Sequence, residues 1–193
     1  MDTDQELVVR LLRGDQDAFA ALVERYQRAV FNLCYRMLGE AREAEDAAQE
    51  TFLRAYQHVD RYDAGRPFKT WLLSIASNYC IDRLRKRRLT WLSLDEPLPP
   101  HPALNSQEAG PEDTTLYRER DAAVHRLLNQ LAPEYRAAII LRYWYDMSYL
   151  EIAGILDTTE SAIKSRLFRA RQMLAEEARS QHVPGMAVAM EGA

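Results

Sequence analysis

A proline-rich, acidic segment in the middle of the chain restricts the fold more than any other feature of the sequence. Residues 92–115 hold five of the eight prolines of this 193-residue chain, and they contain no lysine or arginine. Their five carboxylates belong to Asp95, Glu96, Glu108, Glu112 and Asp113. Proline lacks a backbone N–H, and repulsion between like charges opposes compaction, so we predict an extended linker here.

Helical patterns flank this linker on both sides, and no stretch is rich in strand-forming residues. The sequence therefore predicts an all-α fold, with an N-terminal domain of four helices and a C-terminal helical domain. The predicted limits are residues 1–91 and 116–179 for the two domains, 92–115 for the linker and 180–193 for a frayed C-terminal tail.

Composition indicates a soluble protein of a reducing compartment. Hydrophobic residues make up 47% of the chain and charged residues 28%. No apolar run approaches the roughly 20 residues of a membrane span, and the acidic start lacks a signal-peptide pattern. We therefore expect a cytoplasmic protein without membrane insertion. Cys34 and Cys80 stand in helical patterns without CxxC spacing, which predicts buried thiols, and a regulatory thiol pair is the alternative.

Apolar spacing predicts three helices before a loop at residues 60–66. The first runs from Asp4 to Arg13, the second ends near Gly39 and the third starts around Arg42. The outer face of the third helix is acidic and polar: Glu43, Asp46, Gln49 and Glu50, with Leu53 and Arg54 further along. Such a face is ordinarily solvated, and the alternative is a docking surface for a basic partner.

Residues 67–88 predict an amphipathic helix that ends in a cluster of positive charge. Its apolar face carries Phe68, Trp71, Leu72, Ile75, Ala76, Tyr79 and Leu84. Its polar face carries Lys69, Thr70, Ser74, Ser77, Asn78 and Asp82, and its basic end carries Arg83, Arg85, Lys86, Arg87 and Arg88. Phosphates bind cations, and unstacked bases bind rings and amides, so this helix is a candidate nucleic-acid site. Tyr62, in the preceding loop, is a further candidate for stacking on a base. A core helix with a solvated basic end is the alternative.

The C-terminal pattern predicts a helix-turn-helix. Ser148 and Glu151 form a capping box before a short helix that Leu150, Ile152, Ala153, Ile155 and Leu156 are expected to pack. A tight turn follows, with Thr159 as the expected N-cap of a last helix from Glu160 to about Glu177. Ile163, Leu167, Ala170 and Leu174 face inward in this prediction, whereas Lys164, Ser165, Phe168, Arg169 and Arg171 face outward, with Arg166 near the boundary. An ordinary helical hairpin is the alternative.

The net charge of −4 is compatible with DNA binding because basic residues cluster in two places. An acidic total weakens non-specific binding by the free chain, which suggests action on DNA with help from a partner. The four histidines are scattered without ligand spacing, and the sequence has no nucleophile motif and no phosphate-binding glycine loop. We therefore expect no metal site, no cofactor and no enzymatic activity. A DNA-binding repressor or activator stays open as an alternative, as does an interaction scaffold.

Four blocks of sequence, in order, resemble the extracytoplasmic-function (ECF) group of bacterial sigma factors, from about Asp4 to Ala178. AFAALVERY resembles the first core helix of that family, and AEDAAQETFLRAY resembles its polymerase-binding helix. FKTWLLSIASNYCIDRLRKRR resembles the promoter-melting helix, and YLEIAGILDTTESAIKSRLFRARQML resembles the helix-turn-helix that reads the −35 element. Three turn residues, Thr158, Ser161 and Ala162, depart from the family pattern, which concerns the bases preferred rather than the class.

The resemblance implies a region 2-type N-terminal domain, a region 4-type C-terminal domain and core RNA polymerase as the partner. The clamp coiled coil of the largest polymerase subunit would bind Asp46, Gln49, Glu50 and Leu53. The flap of the second-largest subunit is a further expected contact, and the acidic linker would run through the channel that RNA later occupies. An anti-sigma factor is left open as a partner.

The resemblance also implies the DNA contacts. Those to the −10 element of promoter DNA would be Tyr62, Lys69, Asn78, Arg83, Arg85, Lys86, Arg87 and Arg88. Those to the −35 element would be Lys164, Ser165, Arg166, Phe168 and Arg169. An amide can read a base edge, and a protein pocket can offset the few kcal/mol that unstacking of a base costs. The implied function is promoter recognition and melting, with the chemistry left to the polymerase.

Overall fold

The computed structural model describes residues 2–93 and 113–180, which form eight α-helices and no strand. The helices are α1 (Asp4–Leu12), α2 (Gln16–Leu38), α3 (Ala41–Gln57), α4 (Phe68–Ser93), α5 (Asp113–Asn129), α6 (Pro133–Trp144), α7 (Tyr149–Ile155) and α8 (Glu160–Ser180). A 3₁₀ turn, Val59–Arg61, follows α3. The all-α prediction is therefore confirmed. None of these eight helices combines the length and the apolar character that crossing a lipid bilayer requires.

Side chains near the chain's helix ends explain where several helices begin and stop. Thr3 begins α1 with a capping box, and the Asp15 carboxylate accepts hydrogen bonds from the first backbone N–H groups of α2. Gly39 ends α2 with a φ of 84°, a left-handed conformation that glycine adopts without strain. Pro133 stands at the start of α6, where its missing N–H costs nothing.

The N-terminal domain consists of α1 to α4 around a core that includes Leu22, Leu33 and Leu72, all fully buried. Ala44 and Ala47 are also fully buried, and their small side chains let α3 lie close to α2. This core holds α3 and α4 in fixed register, which positions the candidate binding residues on their outer faces.

The two cysteines are buried as predicted, whereas one serine of α4 does not lie where it was predicted. Cys34 and Cys80 are buried free thiols, as predicted, and the neighbouring Cys34 thiol together with burial raises the pKa of Cys80. Ser77 is fully buried, so its predicted place on the polar face is wrong. The buried stripe of α4 is rotated toward Leu73, Ser77 and Ile81, because α2 and α3 cover that side of the helix.

Helices extend into both ends of the predicted linker. Helix α4 continues to Ser93 and α5 begins at Asp113, so residues 92, 93 and 113–115 are helical. Residues 94–112, the remainder of the predicted linker, and residues 181–193 of the predicted tail lie outside the described residues.

The C-terminal domain consists of α5 to α8, with Ile140, Leu141 and Ile152 fully buried between the helices. The capping box of Ser148 and Glu151 and the N-cap role of Thr159 are confirmed. Leu150 is 71% exposed, so its predicted packing role is wrong. It lies in the first turn of α7 and lines a surface cleft whose other wall includes Thr70 and Trp71 of α4.

The two domains pack against each other through α2 and α4 on one side and α6 and α7 on the other. Arg136, only 5% exposed, donates a hydrogen bond of 2.7 Å from Nη1 to the carbonyl oxygen of Met37. The Tyr145 hydroxyl donates a bond of 2.5 Å to the carbonyl oxygen of Ala29. Burial lowers the pKa of Arg136 to about 10, so the side chain stays charged at neutral pH. The described structure is therefore a closed arrangement of the two domains.

Candidate nucleic-acid interface

The middle of α4 presents Asn78 to the C-terminal domain. Asn78 is exposed, and its amide nitrogen lies 3.5 Å from the carbonyl oxygen of Ile155 at the end of α7, a long hydrogen bond. Lys69, in the first turn of α4, places its ammonium 5.6 Å from the ring centroid of Tyr145. Asn78 and Lys69, two of the candidate contacts to the −10 element, thus have partners in the C-terminal domain in the closed arrangement.

Tyr62 supports the loop before α4. Its ring packs at centroid distances of 5.4 Å from Phe68 and 5.3 Å from Trp71. Its hydroxyl donates a 2.6 Å bond to the carbonyl oxygen of Arg66, and burial raises its pKa. Gln5 of α1 donates a 3.1 Å bond to the carbonyl oxygen of Ala64, so α1 also holds this loop. The ring is half-buried, which leaves only part of it for a ligand.

Asn78 shares a cleft of about 550 Å³ with α3. Its α4 wall consists of Trp71, Ile75 and Asn78. The opposite wall comes from the end of α3 and the 3₁₀ turn and consists of Glu50, Arg54, Gln57, His58 and Arg61. Tyr62 is not among these lining residues, so the structure does not bring Tyr62 and Asn78 into one described cleft. The sequence analysis did not place Arg54, His58 and Arg61 beside Asn78; their basic character at the start of the loop and just before it was the available signal.

The basic end of α4 is partly engaged by carboxylates. Arg87 bonds the carboxylate of Glu43 at 2.5 Å, and Arg83 lies 3.6 Å from it. Arg85 crosses the domain boundary and donates a 2.8 Å bond from Nε to Glu134. Glu43 therefore faces α4, and its predicted place on the acidic outer face of α3 is wrong. The side chains of Lys86 and Arg88, the two remaining candidates at this end, are exposed.

The outer face of α3 combines carboxylates with exposed apolar surface. Asp46 and Gln49 are exposed, and Leu53 is 51% exposed. Glu50 is half-buried and bonded to Arg54 at 2.7 Å. Beside this face, α2 and α3 form a groove of about 420 Å³ whose lining residues are Val23, Gln27, Arg28, Phe31, Glu45, Ala48, Gln49 and Phe52. Exposed carboxylates of Glu45 and Asp46 beside an apolar groove suit a partner with basic and apolar side chains.

The first two turns of α8 present a basic face. Lys164, Ser165 and Arg169 are exposed, Phe168 is 55% exposed and Arg166 is half-buried. Ile163 and Leu167 are buried on the opposite side, as predicted. The Lys164 ammonium lies 2.8 Å from the Glu160 carboxylate, a contact that raises the pKa of Lys164. Short α7, a tight turn and the longer α8 thus form a helix-turn-helix with a cationic second helix.

The helix-turn-helix, packed against a four-helix domain with a second candidate DNA surface, defines a two-domain DNA-binding class of protein. Two family comparisons agree with this class. The Sigma-70 region 2 family matches residues 22–90, and the Sigma-70, region 4 family matches residues 121–174. The chain therefore belongs to the sigma-70 family, and its relatives place it in the ECF group.

Curated relatives cover most of the chain. It is 37% identical over 177 residues to the ECF RNA polymerase sigma factor SigW of Bacillus subtilis, a match that spans 89% of this chain and 95% of that protein. It is 35% identical over 183 residues to the ECF RNA polymerase sigma-E factor of Escherichia coli K12, spanning 89% of this chain and 92% of that protein.

Two solved structures are similar to this chain over most of its length. CnrH in complex with the cytosolic domain of CnrY has a TM-score of 0.67 at 26% identity, over 93% of this chain and 99% of that one. The sigma factor RpoE in complex with the anti-sigma factor NepR from Bartonella quintana has a TM-score of 0.63 at 27% identity, over 82% and 94%.

Proposed function

We propose that this chain directs core RNA polymerase to promoters with a −10 and a −35 element and promotes melting of the −10 DNA. It acts in the cytoplasm, and the polymerase carries out the chemistry, so the chain itself catalyses no reaction. The observation that carries this proposal is the combination of an acidic, apolar face on α3 with a nucleotide-sized cleft beside Asn78. A DNA-binding regulator with a helix-turn-helix would need neither feature.

The polymerase contact is proposed for the outer face of α3. Asp46, Gln49 and Leu53 project from it, and Glu50 lies at its edge. The partner would be the clamp coiled coil of the largest polymerase subunit, and the C-terminal domain would approach the flap of the second-largest subunit. Carboxylates at the rim favour fast association with a basic partner, whereas Leu53 and the neighbouring groove contribute apolar area.

The −35 contact is proposed for the basic face of α8 in the major groove. Lys164, Arg166 and Arg169 can address guanine edges or phosphates. Phe168 can contact a thymine methyl group, and Ser165 can donate to or accept from a base edge. For the −10 element, Asn78 would read an unpaired base, while Lys69, Arg83 and the other basic residues of α4 would hold phosphates.

The closed arrangement cannot bind both DNA elements at the same time. Glu160, the first residue of α8, stands five residues after Ile155, which contacts Asn78. Five residues reach at most about 18 Å. The two promoter elements are about 25 base pairs apart, which is ~85 Å at ~3.4 Å per base pair. We infer that the domains separate when the protein joins the polymerase, and an anti-sigma factor would act by keeping them together.

Footprinting with and without core polymerase tests this proposal against the regulator alternative. The sigma function predicts protection of both promoter elements only when protein and polymerase are present together. A site protected equally well by the protein alone would support a repressor or activator instead. The variant Lys164→Ala should weaken protection of the −35 element more than that of the −10 element. The reason is that Lys164 of α8 would contact the −35 DNA directly.

A further inference from the structure

The first turn of α1 is bonded to the loop of residues 60–66, which leads into α4. Gln5 donates a hydrogen bond of 3.1 Å from Nε2 to the carbonyl oxygen of Ala64, 59 positions further along the chain. Helix α1 also contacts the 3₁₀ turn, Val59–Arg61, where this loop begins. The loop is therefore held by α1 both at its start and in its middle.

A second connection runs through side chains from Asp4 to Tyr62. The two carboxylate oxygens of Asp4 accept separate hydrogen bonds, one of 2.5 Å from Nη1 of Arg25 and one from the hydroxyl of Tyr26. The ring centroid of Phe68 lies 5.7 Å from that of Tyr26 and 5.4 Å from that of Tyr62. Burial and the Asp4 carboxylate raise the pKa of Tyr26, so its hydroxyl stays a donor at neutral pH. Helix α1 is thus linked to the aromatic cluster that supports the loop.

The first turn of α1 is itself anchored to the domain. Thr3 and Glu6 form its capping box, and Arg25 of α2 donates a 2.8 Å hydrogen bond to the carbonyl oxygen of Asp2. Three apolar residues of α1 lie in the buried core: Leu7, Val8 and Leu11. An element fixed in this way can hold a neighbouring loop in one position.

Hydrogen bonds inside the loop shape it but do not fix its position on the domain. The N–H of Gly65 donates to the Asp63 carboxylate at 2.9 Å, and the N–H of Arg66 donates to the Asp63 carbonyl oxygen at 3.0 Å. The Tyr62 hydroxyl donates to the carbonyl oxygen of Arg66, which closes the turn further. The position of this turn therefore depends on contacts from outside the loop, and Gln5 supplies one of them directly.

We propose that α1 positions the loop of residues 60–66 for promoter melting, with Gln5 and Asp4 as positioning residues. The proposal rests on the proposed function, because this loop carries the −10 candidate Tyr62 and leads into α4. Neither Gln5 nor Asp4 touches DNA in this role. A loop that is already held in one conformation loses less entropy when it binds, so α1 lowers the free-energy cost of capturing the melted strand.

Two substitutions interrupt the two connections. Gln5→Met removes the donor to the loop and keeps a side chain of similar length and helix propensity. Its matched control is Gln16→Met, because Gln16 is also exposed and stands in the first turn of α2. Tyr26→Phe removes the hydroxyl that donates to Asp4 and keeps the ring, and Tyr143→Phe at the surface of α6 is its control. All four changes leave the net charge unaltered, so the attraction of phosphates stays the same.

Hydrogen exchange of the full chain without polymerase tests the positioning directly. The reporters are the backbone amides of Tyr62, Gly65 and Arg66, which are hydrogen-bonded within this segment. Gln5→Met should speed their exchange by about two- to tenfold, the range that the loss of one hydrogen bond spans. Amides of α6 should keep their wild-type rates, and Gln16→Met should leave the loop unchanged. Wild-type exchange in the loop of Gln5→Met would overturn the proposal.

Holoenzyme reconstituted from core polymerase and the full chain reports the effect on melting. At saturating holoenzyme, permanganate reactivity should show a ratio of open to closed complex that is about two- to tenfold lower for Gln5→Met and for Tyr26→Phe. Gln5→Met should keep the wild-type core affinity, −35 protection and unfolding temperature, which a general loss of stability would not allow. Both control variants should open the promoter as the wild-type chain does.

Four outcomes separate the proposal from its alternatives. Faster loop exchange with a wild-type ratio of open to closed complex would overturn the role of α1 in melting. A wild-type ratio for Tyr26→Phe alone would remove Asp4 from the positioning residues. Equal losses of opening, core affinity and −35 protection would mean that α1 only stabilises the fold. A wild-type holoenzyme that opens no promoter would contradict the proposed function instead, and the exchange result is distinguishable from this failure because it needs no polymerase.

Discussion

Asn78 illustrates what a single residue contributes to the closed and the active forms. Its amide lies at the surface of α4 next to Trp71 and forms a long bond with the carbonyl oxygen of Ile155. A bond of 3.5 Å is weak, so the exchange for a base edge that we propose would cost little once the domains separate. Releasing the Asn78 amide from the Ile155 carbonyl oxygen therefore costs little free energy.

Replacing Asn78 with alanine should impair promoter opening and leave core binding intact. The expected loss is one base-edge interaction, about 1–3 kcal/mol, or roughly five- to 150-fold in open complex. Permanganate reactivity of unpaired thymines measures opening, and fluorescence anisotropy measures core affinity. Asn32→Ala, an exposed change on α2, is the control and should leave both unchanged. Equal loss of opening and of core binding would remove Asn78 from the base site.

Residue burial was only partly predictable from the sequence. Ile163 and Leu167 were placed inside correctly because α8 has one buried stripe at helical spacing. Ser77 was predicted to lie on a polar face and no prediction was made for Arg136, yet both are buried, because another helix covers each of these polar side chains. No local pattern identifies which helix will do so.

Capped helix starts in the helix-turn-helix were more predictable than the C-terminal end of α4 at Ser93, because capping depends on residues a few positions apart. The predicted capping box of Ser148 with Glu151 satisfies backbone N–H groups, and Thr3 with Glu6 forms a second box that was not predicted although its sequence has the same pattern. Helix faces were less predictable: Glu43 turns toward α4, where Arg83 and Arg87 hold its carboxylate. That choice depends on a neighbouring helix distant in sequence.

Ser148→Ala should destabilise the helix-turn-helix by about 1 kcal/mol, because the first turn of α7 loses its cap. Weaker protection of the −35 element by the holoenzyme is the expected functional result. Thr3→Ala removes the equivalent cap from α1 and serves as the matched control. Urea unfolding should show a similar loss for both variants, with reduced −35 protection for Ser148→Ala alone. Reduced −35 protection by Thr3→Ala as well would argue against a local effect.

The exposed face of α3 should tolerate little charge reversal. Asp46→Arg places a cation where we propose a basic partner, so core affinity should fall by at least about tenfold. The protein should keep its thermal stability, since Asp46 is exposed. Glu176→Arg, an exposed reversal on α8, is the control. Unchanged core affinity of Asp46→Arg would remove this face from the polymerase interface.

At the scale of the whole molecule, side-chain hydrogen bonds help to hold the two domains in the closed arrangement. Arg136 and Tyr145 each donate to a backbone carbonyl of α2, and Arg85 pairs with Glu134 at the surface. The sequence predicted two domains but not this packing, because the contacts join residues about 50 to 120 positions apart and follow no local pattern. Separation of the domains would release Asn78 and Lys69 from their partners in the C-terminal domain.

Tyr145→Phe should shift the free chain toward an open form. The change removes one hydrogen bond, worth about 1 kcal/mol, and should raise the open-to-closed ratio about fivefold. Energy transfer between dyes at exposed positions of α2 and α8 reports the separation, with lower transfer expected for the variant. Tyr143→Phe alters an exposed tyrosine on α6 and should leave energy transfer unchanged. Identical transfer in all three proteins would mean that this bond does not hold the domains together.

The most direct test of the sigma function is transcription from purified components. Core RNA polymerase, the full chain and a library of genomic fragments are incubated with nucleotides, and the transcripts are sequenced. The account predicts transcripts that require the chain and that begin downstream of two shared sequence elements. Core polymerase that binds neither the chain nor any promoter with its help would contradict it.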